Sequence, residues 1–174
     1  MKSLKSLENL GRVRLSKHFF MRDFLYSEIG NFHAIPNLPD DPDLAVAAGE
    51  KLCQELLDPL FETFGNVIIR SAFRSCDVNG FGNANKLNCA SSDNPIECHI
   101  WDRDAGDAAI AGASIVIPCV AAQYDQGRVW RDLAWWGPDH LPYYEMWFFP
   151  KRAAFHLAWR PAPVPTISNS IAPR

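Results

Sequence analysis

The sequence has no run of about 20 apolar residues, the length that a membrane-spanning helix needs, so no membrane span is expected. It has no excess of basic residues either: 17 Lys and Arg stand against 20 Asp and Glu, which argues against a nucleic-acid partner. Residues 1–14 carry scattered charges instead of the apolar stretch of a signal peptide. We therefore expect a protein that stays in the cytoplasm or is released without a classical signal peptide.

The sequence lacks paired cysteine motifs. None of the five cysteines forms a CxxC motif, and the spacings of a zinc finger are missing. Cys53 and Cys119 lie in apolar stretches and are expected to be buried thiols. Cys76, Cys89 and Cys98 share one polar segment, where a disulfide and a metal site are both conceivable. Without a secretion signal, we expect free thiols.

What the sequence does contain is enough apolar material for one core. Its 174 residues are 48% apolar and 21% charged, which is typical of a single globular domain. We predict an extension over residues 1–14, a domain over residues 15–160 and a Pro-rich flexible tail over residues 161–174. We expect this domain to be a monomer.

Periodicity predicts the main elements. Apolar residues recur at helical spacing over 44–64, after Asp43 as a capping residue and before Gly65 at the stop position. Shorter helices are predicted over 15–27 and 123–133, and strands over 66–71, 113–118, 143–149 and 153–159. The tract 72–107 is predicted to be irregular, and irregular segments of this length are often functional. This order predicts an α+β fold with a small, mostly antiparallel sheet.

A more specific signal lies in residues 52–79, LCQELLDPLFETFGNVIIRSAFRSCDVN. A helix with a Pro-Leu pattern runs into a glycine, a strand follows, and the turn Ser71-Ala72-Phe73-Arg74-Ser75 has Asn79 four residues beyond it. This pattern resembles the zinc D-Ala-D-Ala carboxypeptidases and the Hedgehog-like peptidases, in which the turn reads Ser-Gly-Tyr-Arg-Ser. The opening residues 15–19 are also similar to the start of that family, and the resemblance covers about residues 15–160.

The resemblance implies a zinc centre. In the family, two His and one Asp hold zinc, which lowers the pKa of a bound water towards ~7, and a nearby carboxylate is the general base. His99 and His156 stand at the positions of the metal histidines. Arg74, with Ser71 in the same turn, matches the substrate-gripping Arg, whose guanidinium offers a rigid fork of donors. The alternatives are a surface His99, a core His156 and a structural Arg74.

The third metal ligand is open. The family's Asp stands seven residues after its first metal His, which is Gly106 here, whereas alignment of the following strand puts that position on Ser114. Asp102, Asp104 and Asp107 lie in the lengthened loop between His99 and that strand, and Asp102 and Asp107 are the preferred candidates. The alternative is that these acids only solvate a loop.

The position of the catalytic acid departs further from the family. Three residues before the last His stands Ala153, which transfers no proton. Glu145 on the preceding strand is a substitute across the predicted hairpin. Loss of a general base typically costs about 10²- to 10⁴-fold in rate.

Two functions therefore remain open. One is a zinc metallopeptidase, of carboxypeptidase type, that cleaves bonds to D-amino acids in peptidoglycan stem peptides. The other is a non-catalytic cell-wall-binding or structural module, of prophage type, on the same scaffold. The aromatic segments 130–136 and 143–149 would form the recognition surface in this second case, or else pack in the core. The expected partner in both cases is a peptidoglycan peptide or another cell-wall fragment.

Overall fold

The computed structural model describes residues 4–87, 89, 98–103, 110–124, 126–127 and 130–169. The helices in these ranges are α1 Leu4–Gly11, α2 Glu28–Phe32, α3 Pro42–Leu52, α4 Asp58–Phe64, α5 Cys76–Ala84, α6 Pro118–Tyr124 and α7 Arg131–His140. The strands are β1 Ile68–Ser71, β2 Ala111–Val116, β3 Glu145–Phe149, β4 Ala154–Trp159 and β5 Thr166–Asn169. None of the described helices is long and apolar enough to cross a membrane.

The described strands form one five-stranded sheet in the order β1-β2-β4-β3-β5. The pairs β1–β2, β2–β4 and β3–β4 are antiparallel, and β5 joins the edge of β3 in parallel. The predicted α+β class and mostly antiparallel sheet are confirmed. Strand β5 lies within the segment predicted to be a flexible tail, so part of that segment belongs to the sheet.

One face of the sheet is buried and builds the core. Alternate residues of a strand point to opposite faces, and the fully or almost fully buried set includes Ala113, Ile115, Met146, Phe148, Phe155 and Leu157. This set packs in one cluster with the buried residues of α3, α4 and the turn between them. The opposite face of the sheet lies outside this core cluster.

The long helix predicted over 44–64 is present, with one irregularity. It begins at Pro42, and its cap is the side chain of Asp41 and not the predicted Asp43. Between α3 and α4 the helix widens into a π turn at Cys53–Leu57, directly before Pro59. A proline in a helix interior lacks an N–H and clashes with the carbonyl four residues back, and the wider turn relieves that clash. Gly65, with φ +82°, ends the helix as predicted.

Other helix predictions were wrong in detail. The region 15–27 holds a single 3-10 turn, Met21–Phe24, because the chain folds back where Arg14 pairs with Phe20 in a β-bridge. The helix predicted over 123–133 is instead two helices, α6 and α7. Helix α5 lies in the tract predicted to be irregular, and it begins where the Ser75 side chain accepts the Val78 N–H.

The cysteines are free, as predicted. Cys53 is buried, which confirms its assignment. Cys119 is exposed, which corrects the prediction of a buried thiol, because it lies in the first turn of α6 and its Sγ donates to the Phe64 carbonyl at 2.9 Å.

Candidate functional site

The outward face of the sheet forms the floor of an open groove. The strand registers place Ser71, Ser114, His156, Trp147 and Ser168 in a single row across all five strands. The groove has a volume of about 1180 Å³, and its walls include Tyr26 and the first residue of α2, Glu28. Ser71, Arg74, His99 and His156, four residues singled out in the sequence, all line this one groove.

A β-bulge in β1 determines which side chains form one wall of the groove. Ile69 pairs with Ile115, but Ser71 pairs with the adjacent Ser114, so two residues of β1 stand where β2 advances by one. Such a bulge redirects side chains that strict alternation would send to opposite faces. As a result, both Arg70 and Ser71 line the groove.

Arg74 is held in place from several sides. Its side chain is buried, and Nη1 donates to Asn79 Oδ1 at 3.1 Å and to Cys89 Sγ at 2.7 Å. Its backbone N–H donates to the His99 carbonyl at 2.8 Å, which ties the turn after β1 to the segment that carries His99. The role of Asn79 four residues beyond the turn is therefore to orient the guanidinium.

His99 is fixed by its own segment. Trp101, two residues on, is fully buried between Phe24 and Phe73, and its Nε1 donates to the Gly112 carbonyl at 3.3 Å. The His99 Nδ1 lies 2.6 Å from the Ala72 carbonyl, which can only accept, so Nδ1 carries the proton. The Nε2 of a neutral His99 therefore keeps its lone pair.

The two histidines lie against each other. Their ring centroids are 4.9 Å apart, and His156 Nδ1 is 3.3 Å from Ser114 Oγ. The Nε2 of His156 is buried and has no hydrogen-bond partner among the described residues. The ring fits because Gly112 on the adjacent strand β2 has no side chain; an added Cβ there would lie 2.7 Å from that Nε2.

Both imidazoles are uncharged at neutral pH. Burial, and after it the nearby positive charge of Arg74, lower the pKa of His156 from its ordinary value to about 4. The pKa of His99 falls well below its ordinary value, first through burial and then through Arg74 and His156. The site therefore combines one fixed positive charge with two neutral rings.

Among the described residues, no complete set of ligands for a catalytic zinc centre comes together. Such a centre takes three protein ligands, whereas no group of three or more His, Cys, Asp or Glu in the described ranges is arranged to hold a metal ion. Asp102 is buried, but its Oδ2 accepts the Asp40 N–H at 2.6 Å, and its charge acts on Cys76, whose thiol pKa burial and nearby carboxylates raise. Asp104 and Asp107 lie outside the described residues.

The hydroxyl of Ser114 stands at the register position opposite His156, where the strand alignment would place the family's Asp. Ala153 stands where the family that the sequence resembles has its catalytic acid. It adopts φ +47° after the turn Pro150–Arg152. Its backbone is in the left-handed region, which is unfavourable for a long side chain. Glu145 lines the same groove, two residues along β3 from the Trp147 that faces His156.

Sequence reasoning missed the charge of the groove. Among the described lining residues, the cations are Arg70, Arg74, Lys151 and Arg152, and the carboxylates are Glu28 and Glu145. Strand alternation places Arg70 on the groove face together with Ile68, and the turn that presents Lys151 and Arg152 has no signature in the sequence. The one indication of a cationic groove in the sequence was the adjacent pair Lys151-Arg152 in the predicted hairpin turn.

No protein-family model, curated protein or solved structure matches this chain.

Proposed function

We propose that this protein is a non-catalytic binding module, and that its groove takes the carboxylate end of a peptide of the peptidoglycan stem class. The observation that carries this proposal is the excess of cations in the groove, four against two carboxylates among its described lining residues. The peptidoglycan class rests on the resemblance of residues 52–79 to the D-Ala-D-Ala carboxypeptidases.

Arg74 is the anchor for the ligand's carboxylate. A guanidinium holds a carboxylate through charge-assisted hydrogen bonds, which are about twice as strong as neutral ones. Asn79 orients the guanidinium of Arg74. Because the Arg74 side chain is buried, water weakens its attraction to a carboxylate less than it would at the surface. The Ser71 and Ser114 hydroxyls lie on the same floor as further donors.

The two neutral histidines suit a peptide ligand. With its proton on Nδ1, His99 presents Nε2 as an acceptor for a ligand amide N–H. Tyr26 and Trp147, both partly exposed in the groove, offer apolar surfaces for the peptide's methyl groups. The site thus has an anion anchor, amide acceptors and apolar walls.

Binding without cleavage follows from what the described residues lack. They supply two imidazoles but no third metal ligand, and Ala153 replaces the proton-transferring acid. We therefore propose a scaffold that keeps recognition of the peptide without the chemical step.

The test is a calorimetric titration with diacetyl-Lys-D-Ala-D-Ala in a chelator, beside the same peptide with a C-terminal amide. We expect saturable binding of the acid and at least tenfold weaker binding of the amide. Arg74→Gln and Arg70→Gln should each weaken binding of the acid, while Lys51→Gln, which removes a cation outside the groove, should not. Equal affinity for the acid and the amide would refute the proposal.

A zinc peptidase is the second candidate, and the state of the two histidines favours it. His99 directs its protonated Nδ1 to a backbone carbonyl, the arrangement that fixes a metal-binding tautomer, and His156 Nε2 is buried without a described partner. Elemental analysis after purification with zinc decides between the two. One zinc per chain, lost in His99→Ala and in His156→Ala, would support this candidate, and no zinc in a folded protein would remove it.

A further inference from the structure

Two cations at the hairpin turn remain unexplained by an anchor at Arg74. Lys151 and Arg152 belong to the turn between β3 and β4, and both are exposed and line the groove. Among the described residues, no carboxylate forms an ion pair with either of them. Two adjacent uncompensated cations at the mouth of a groove create a local positive potential that attracts an anionic group.

The turn holds these cations in a defined position. Pro150 fixes one backbone angle, and Ala153 closes the turn with φ +47°, a conformation that costs an L-residue energy. Strained backbone of this kind persists where the surrounding structure enforces it, and it is concentrated at binding sites. The turn therefore holds the backbone of Lys151 and Arg152 at the edge of the groove.

The distance between the groove floor and the pair Lys151-Arg152 determines how far apart the two anionic groups of a ligand must be. Ala154, at the turn end of β4, is two residues from His156, which is about 7 Å at the rise of a strand. Arg152 stands two residues before Ala154, in the turn, so its side chain meets a ligand on the order of 10 Å from His156. An extended peptide covers that distance in about three residues.

We infer that the groove reads two anionic groups: a terminal carboxylate at Arg74, and an acidic group about three residues before it at Lys151 and Arg152. This inference rests on the proposed function, because it assumes that a peptide carboxylate is anchored at Arg74. Lys151 and Arg152 are then specificity residues that select acidic peptides from neutral ones of the same length.

The test compares acetyl-Glu-Ala-D-Ala-D-Ala with acetyl-Gln-Ala-D-Ala-D-Ala by calorimetry at low salt. The peptides differ only in the charge three residues before the terminus. The parent should bind the Glu peptide about 3- to 10-fold more tightly, the range for exposed ion pairs with two cations. This ratio should fall to about 1 in Lys151→Gln/Arg152→Gln and persist in Lys5→Gln/Lys51→Gln, which removes the same net charge outside the groove.

The outcomes separate this inference from the proposed function. If the parent binds both peptides equally well, the inference fails and the carboxylate anchor stands. If the Glu preference persists in Lys151→Gln/Arg152→Gln, another group reads the acid and the inference also fails. If neither peptide binds, the proposed function fails with it.

Discussion

His156 shows how burial and charge act together on one residue. Its ring is buried between Ser114 and Gly112, and the guanidinium of Arg74 opposes a second positive charge beside it. Protonation of this ring is therefore much harder in the folded protein than in the unfolded chain. The ring therefore stays neutral at neutral pH, and the fold loses stability as the pH falls.

The acid sensitivity has a definite sign and range. A histidine whose folded pKa is lowered stabilises the fold above its unfolded pKa of about 6.5, and this contribution is lost as the pH falls towards the folded value. For His156, with a folded pKa of about 4, the contribution is about 3 kcal/mol. In a chelator, the free energy of unfolding of His156→Asn should fall by about this much less between pH 7 and pH 4 than that of the parent.

Urea titrations at several pH values measure this difference. His33→Asn, which changes an exposed histidine, is the control and should follow the parent curve. An unchanged pH dependence in His156→Asn would show that the ring is not buried in its neutral form.

Ala153 gives a second prediction at the residue scale. An alanine in the left-handed region costs about 1–2 kcal/mol, and glycine removes that cost while losing about 0.5–1 kcal/mol of chain entropy. Ala153→Gly should therefore raise the free energy of unfolding in urea by about 0.5–1 kcal/mol. Ala154→Gly, one residue into β4, is the matched control and should lower it by a similar amount. A loss of stability in both variants would rule out the left-handed turn.

At the element scale, the packing of β2 against the His156 ring depends on the absence of a side chain at Gly112. A Cβ there would lie 2.7 Å from His156 Nε2 and 2.9 Å from the Cβ of Cys98, so the ring or the strand must move. Overpacking of this kind costs about 1–3 kcal/mol. Gly112→Ala should lower the free energy of unfolding by that amount and should weaken peptide binding, because the displaced His156 ring lines the groove.

Gly80 provides the contrast in the same protein. It lies inside α5, and an added Cβ meets nothing within 4 Å. Gly80→Ala should therefore stabilise the protein by up to about 1 kcal/mol, through helix propensity alone. Thermal and urea unfolding of the two variants measure the difference, and an equal effect of both would contradict the packing around His156.

The elements that the sequence predicts are those with strong periodicity or strong stop signals. The helix over α3 and α4 and the strands β1 to β4 are found near their predicted places. Helix α5 was missed because Gly80 and Gly82 lower its helix propensity, while its Ser75 cap is a tertiary feature of the turn. Strand β5 was missed because Thr166–Asn169 has one apolar residue and pairs only along the edge of β3.

At the scale of the whole molecule, the site joins segments that are far apart in the chain. The turn at Arg74, the segment at His99 and strand β4 at His156 converge because the sheet order places β2 between β1 and β4. The resemblance identified these three residues, and the structure brings them together in one groove. The third ligand stays a prediction: Asp102 Oδ2 accepts the Asp40 N–H, and Asp107 lies outside the described residues.

The central claim is that this groove binds a peptide carboxylate and does not cleave the peptide. The most direct measurement is equilibrium dialysis of diacetyl-Lys-D-Ala-D-Ala against the protein with zinc present, followed by mass analysis of the recovered peptide. Our account predicts that the protein side retains excess peptide and that all of it is recovered intact. Recovery of a peptide shortened by one D-Ala would contradict this account and establish the peptidase instead.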